Sequence, residues 1–122
     1  MTEERSAIDR VLSALNHPVR RGILRELIGG PNSASKLAKG FEVDLGIVSY
    51  HLNQVLAKQC KVVELVDTVP RRGSVEKIYE PRLELPADLP DPGAPGSREE
   101  ALWTMTLAAR LLEATEAQKA RK

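Results

Sequence analysis

Little in this chain could serve covalent cross-linking, redox chemistry or membrane insertion. It holds one cysteine, Cys60, in 122 residues. An internal disulfide is therefore excluded, and the cytoplasm is the expected compartment. Aromatic residues make up 3%. No apolar run approaches the roughly 18 residues needed to cross a bilayer, so no membrane partner is expected. Residues 1–15 hold acidic side chains and lack the unbroken apolar stretch of a secretory leader. No Gly-rich phosphate loop, nucleophile elbow or HExxH motif is present, so the chain is not expected to be an enzyme. His17, His51 and Cys60 are too few and too scattered for a zinc site, and neither metal nor cofactor is expected. Net charge is only +1. Residues 1–82 carry 13 Lys and Arg against 10 Asp and Glu, and residues 83–122 carry 5 against 7. Any basic surface must therefore be local.

What is present is helical patterning. Asp44 to Leu56 reads as one amphipathic helix, with Leu45, Val48, Leu52, Val55 and Leu56 recurring on a single face. The other face carries Gly46, Ser49, Tyr50, Asn53 and Gln54, which are small or polar and uncharged. A merely solvated face is more often filled with Lys and Glu. Hydroxyls, amides and a phenol are the groups that bond base edges and phosphate oxygens. Asn53 and Gln54 are the two that can read adenine through paired hydrogen bonds.

The neighbouring segments fit around that helix. Ile8, Val11, Leu12 and Leu15 predict a first helix beginning near Arg5. A second opens at Pro18, with His17 as its cap, and stops at Gly29-Gly30-Pro31. Ser33 caps a short third helix through Lys39, which Gly40 ends. Phe41 and Val43 fill the following turn, and Asp44 caps the fourth helix. The period then changes. Val62–Val69 and Ser74–Glu80 read as strands around a Pro70–Gly73 turn, making a β-hairpin. Residues 83–96 are a proline-rich linker, and Ser97 starts a last helix. That helix carries two apolar stripes. Leu102, Met105, Ala109 and Leu112 form one, and Trp103, Leu107, Leu111 and Ala114 the other. One stripe can pack on the first helix, and the other needs a partner, most simply a second copy. The expected dimer face comprises Ile8, Val11, Leu12, Leu102, Trp103, Met105, Ala109 and Leu112.

This order is that of a winged helix-turn-helix: mainly α with a β-hairpin, plus an additional C-terminal dimerisation helix. Residues 1–82 would be the DNA-binding unit, 83–96 the linker and 97–122 the dimerisation helix. Four segments strengthen it. Leu15-Asn-His-Pro-Val-Arg-Arg-Gly-Ile-Leu24 resembles the opening of the second helix in the ArsR family of bacterial repressors. Ser35-Lys-Leu-Ala38 is similar to their bracing helix. Val48-Ser-Tyr-His-Leu52 resembles the Ser-x-His-Leu core of their recognition helix, and Val69–Tyr79 resembles their wing. Family members often have glycine just after the recognition helix. Here Gln59-Cys60-Lys61 stands there, so a different exit turn is expected. The paired cysteines of metal-sensing members are missing, so the resemblance implies DNA binding and homodimerisation without metal sensing.

The expected contacts to double-stranded DNA are Ser33, Ser35, Lys36, Gly46, Ser49, Tyr50, Asn53, Gln54, Arg71, Arg72 and Lys77. Ser33 could equally be a cap alone, and His51 is assigned a structural role. Cys60 reads as an inert, half-buried residue. The functional expectation is a cytoplasmic, homodimeric repressor of transcription reading a near-palindromic site. Two alternatives stand beside it: a winged-helix module that binds protein, and a regulator of the same fold answering to an unidentified small-molecule effector.

Overall fold

The computed structural model describes residues 6–82, 89, 92–94 and 96–120. Most of the proposed linker lies outside them. Helix α1 (Ala7–Leu15) is capped by Ser6, whose hydroxyl accepts from the Asp9 N–H at 3.1 Å. Its Val11, Ala14 and Leu15 face inward. Helix α2 (Pro18–Ile28) begins under the His17 cap, with proline in the first turn, where a missing N–H is no loss. It buries Ile23, Leu24 and Leu27. A two-residue strand, β1 (Asn32–Ser33), then leads into α3 (Ala34–Phe41). Gly40 does not end α3. The left-handed position that closes the helix falls on Glu42, at φ 57°.

Helix α4 (Leu45–Ser49) starts at the Asp44 cap and runs without a break into a π-helical segment (Tyr50–Gln59). Wider i→i+5 turns are uncommon beyond a single turn and concentrate at functional sites. The segment closes with the Cys60 N–H donating to the Val55 carbonyl at 2.7 Å. The chain then exits through Lys61 at φ 59°. Val48, Leu52, Val55 and Leu56 are buried as the periodicity requires, whereas Leu45 is 50% exposed. Leu45 occupies the first turn, beyond the reach of the core.

Strands β2 (Val63–Arg71) and β3 (Ser74–Pro81) form the hairpin. Ladder pairing continues to Arg71↔Ser74, so Arg72-Gly73 alone make the tip. Gly73 sits at φ 77°, where a residue without Cβ is at ease. A bulge interrupts the register between Leu65 and Asp67. Unforeseen in the sequence, β1 pairs antiparallel with β3, giving a sheet of order β1-β3-β2. The wing is thereby tied to the start of the bracing helix and does not project as a free hairpin.

Helix α5 (Arg98–Ala120) is capped by Ser97, which accepts from the Glu100 N–H. The Glu100 carboxylate returns to the Gly96 N–H at 2.9 Å, a near-relative of the capping box. The helix packs on α1 and drives Trp103, Leu107 and Leu111 into the core shared with Val11, Ile23, Leu24, Leu52 and Leu56. Each fully buried leucine there stabilises the fold by about 1.5–3 kcal/mol. Val11 and Trp103 are 1% and 3% exposed, so their assignment to a dimer face is corrected: they are interior residues of one chain.

Candidate nucleic-acid interface

Two open grooves flank the middle of the fourth helix. The larger, of about 620 Å³, lies between α3, α4 with its π-helical extension, and β3, and is bordered by Lys36, Lys39, Ser49, Arg71 and Lys77. The smaller, of about 480 Å³, runs along the π-helical segment and both long strands, bordered by Gln54, Lys58, Glu64, Lys77 and Arg82. Asn53, Lys77 and Tyr79 line both, so the partition between the grooves includes the Asn53–Tyr79 contact. The lysines and arginines along these edges make a local basic surface on a nearly neutral chain.

The polar face of the helix is only partly free. Tyr50 is 53% exposed, with its ring edge-on to His51 at 5.4 Å. Gln54 is exposed and Ser49 half-buried. Gly46 is exposed, and its N–H donates to the Asp44 cap at 3.0 Å. A Cβ at Gly46 would meet that Asp44 oxygen at 3.0 Å, so the cap itself is one reason for glycine here. Asn53 is half-buried, and its Oδ1 accepts from the Tyr79 hydroxyl at 2.5 Å. Burial pushes the Tyr79 phenol up, so it stays a donor.

At the start of α3, Ser33 is fully buried. Its hydroxyl caps the Lys36 N–H and donates to Glu76 Oε2 at 2.6 Å. The expected DNA contact of the Ser33 side chain is therefore corrected: it is an interior cap. Ser35 is exposed and reaches the same Glu76 oxygen at 3.3 Å, and Lys36 is exposed beside it.

Glu76 is the residue that sequence reasoning missed. Its other oxygen accepts from Arg71 Nε at 3.1 Å and Nη2 at 2.7 Å. The Ser33 hydroxyl first, and then Arg71, hold its carboxyl down at about 2, against the opposing effect of burial. Arg71 thus enters any interface already paired. Arg72 and Lys77 are exposed, and their side chains have no hydrogen bond or ion pair among the described residues. Strand alternation was the available signal for Glu76. It places Glu76 on the same face of β3 as Ile78, whose backbone lies opposite Ser33.

Behind the helix sits a second polar cluster. His17 Nδ1 accepts from the Val19 N–H at 3.1 Å, as a cap should. His51 is 7% exposed and lies 4.3 Å from the His17 ring. Arg20 donates to His51 Nδ1 at 3.1 Å and to the Ser13 carbonyl at 2.9 Å. A guanidinium has only donors, so His51 must accept, which fixes a neutral ring with its proton on Nε2. Burial, then the neighbouring charges, lowers both histidines. The cluster bolts α1, α2 and the fourth helix together, in keeping with the structural role expected for His51. Cys60 is 1% exposed, more deeply buried than expected.

On the far side, Ile8, Leu12, Leu102 and Met105 are 56%, 57%, 50% and 67% exposed. Ala109 is exposed and Leu112 half-buried. Among the described residues no group of His, Cys, Asp or Glu could hold a metal ion, and no helix is long and apolar enough to cross a membrane.

Residues 15–66 match a family model described as a helix-turn-helix domain. The match spans α2, β1, α3, α4 with its π-helical extension, and the start of β2. It supports a winged helix-turn-helix regulator that binds DNA, without singling out the ArsR type. No curated protein matches the chain.

Proposed function

We propose that the protein is a homodimeric, ArsR-like transcriptional repressor that reads a near-palindromic DNA site. The observation that carries this reading is the larger groove. A helix face bearing Ser49 and Asn53 stands beside Lys36, Lys39 and Lys77, which would neutralise phosphates on either side, and Gln54 lines the neighbouring groove. In this reading residues 1–82 dock on the duplex with the fourth helix in the major groove. Ser35, Lys36, Arg72 and Lys77 hold the backbone, and Gly46, Tyr50, Asn53 and Gln54 lie nearest the bases. Arg71 stiffens the wing through Glu76.

Dimerisation is supported by the exposed rows Ile8 with Leu12 on α1, and Leu102 with Met105 on α5. Apolar side chains at half exposure or more on two packed helices form a surface that a two-fold copy can cover. Two reading helices would then address half-sites about 34 Å apart.

Selection of bound duplexes from a random pool, with sedimentation of the complex, tests this reading. A symmetric site bound by two chains is expected. Failure to enrich any sequence at low salt would reject DNA reading. A protein-binding module is the alternative, favoured by Leu65, Val66 and Val75, which leave 47%, 44% and 56% of their surface exposed on the hairpin.

A further inference from the structure

We propose that Tyr79 sets the base preference of Asn53 by occupying its carbonyl oxygen; this rests on the DNA-reading function above. An asparagine reads adenine by using both halves of its amide, accepting from N6 and donating to N7. In this protein the accepting half is already engaged. Asn53 Oδ1 receives the Tyr79 hydroxyl at 2.5 Å, across the partition between the two grooves. The Asn53 amide nitrogen has no hydrogen bond among the described residues. Oδ1 keeps a second lone pair, but its bond to the buried phenol turns the oxygen inward, so the Nδ2 donor is the half of the amide that Asn53 offers first.

The clamp is built to persist. Tyr79 is 3% exposed, and its backbone is held on both sides, opposite Asn32 of β1 and Leu65 of β2. Its phenol has no other partner among the described residues. Flipping the Asn53 amide to offer its oxygen to a base would let the phenol accept from Nδ2 but leave its buried O–H with no acceptor, which disfavours that rotamer. Guanine shows two acceptors, N7 and O6, in the major groove, whereas adenine pairs one acceptor with one donor. An amide that leads with its donor thus favours guanine, where a free asparagine favours adenine. Tyr79 is a positioning residue that touches no base itself.

The test is selection of bound duplexes from a random pool with the full chain, comparing wild type, Tyr79→Phe and Asn53→Asp. Wild type should prefer guanine at one position in each half-site. Tyr79→Phe frees Oδ1 and should move that position toward adenine by at least about fivefold, leaving other positions unchanged. Asn53→Asp keeps an acceptor for Tyr79 and loses the donor, so the guanine preference should vanish there. This second variant leaves the tyrosine in place, so it does not depend on how a phenylalanine would pack. Circular dichroism of each variant confirms the fold. The proposal is overturned if Tyr79→Phe weakens all sequences alike with the preference unmoved, or if Asn53→Asp retains it. Absence of duplex binding by wild type would overturn the DNA-reading function as well, so the two failures are distinguishable.

Discussion

Adjacent arginines at the wing tip should differ in their effect on salt dependence. Each phosphate contacted by a free cation contributes about −0.9 to the slope of log affinity against log salt. Arg72 is exposed and unpaired among the described residues, so Arg72→Ala should flatten the slope by about 0.9 per protomer, or about 1.8 for a dimer. Between roughly 50 and 200 mM salt, that is about tenfold less loss of affinity than in wild type. Arg71 carries the same charge one residue earlier, but two of its N–H groups are engaged by Glu76 Oε1. The pair is neutral as a unit, so Arg71→Ala should flatten the slope by clearly less. Fluorescence anisotropy with one labelled duplex, titrated across a series of salt concentrations, reads both slopes. Equal flattening by the two substitutions would show that the Arg71–Glu76 pair opens on the duplex and that its geometry in the free protein does not govern binding.

Other expectations follow from the backbone, the titrating groups and the apolar face. Lys61 holds a left-handed conformation that glycine adopts freely, so Lys61→Gly should leave urea stability unchanged or raise it by up to about 1 kcal/mol, whereas branched Lys61→Val should lower it. Glu76 has a folded pKa of about 2 against an ordinary 4.5, so its contribution is complete above pH 4.5 and fades as pH falls toward 2. Glu76→Gln should remove that part of the acid-unfolding profile. His17 and His51 are lowered below 6.5 in the fold, so stability holds above that pH and declines as pH drops through it. His17→Asn keeps a capping side chain and should flatten the decline, read from urea midpoints between about pH 8 and 5, the range that histidine titration spans. Leu12→Glu with Met105→Glu should leave the fold intact and yield a monomer in sedimentation; an unchanged dimer would move the interface elsewhere.

The helices were legible because their signals are local. Ser6, His17, Ser33, Asp44 and Ser97 each stand where a cap is needed, and periodicity placed Ile23, Leu27, Leu52 and Leu56 inside. The misses arise where distant segments meet. Ser33 is buried because Glu76, 43 residues later, closes over it. Strand β1 is two residues long and has no pattern of its own; it forms because β3 offers an edge. Gly40 reads as a helix stop, yet local geometry puts the left-handed residue two positions on, at Glu42. Val11 and Trp103 fall to the wrong partner because an apolar stripe does not say what covers it. The polar face of the fourth helix is visible in sequence, but the bond from Tyr79 that restricts Asn53 is not.

The widened winding of Tyr50–Gln59 bears on how densely that helix presents its side chains. Putting more residues into every turn makes a fatter and shorter rod, so its ten side chains are crowded into a smaller axial length than in an ordinary α-helix. In the proposed DNA-reading role, that crowding would bring the segment's side chains over a correspondingly short run of bases.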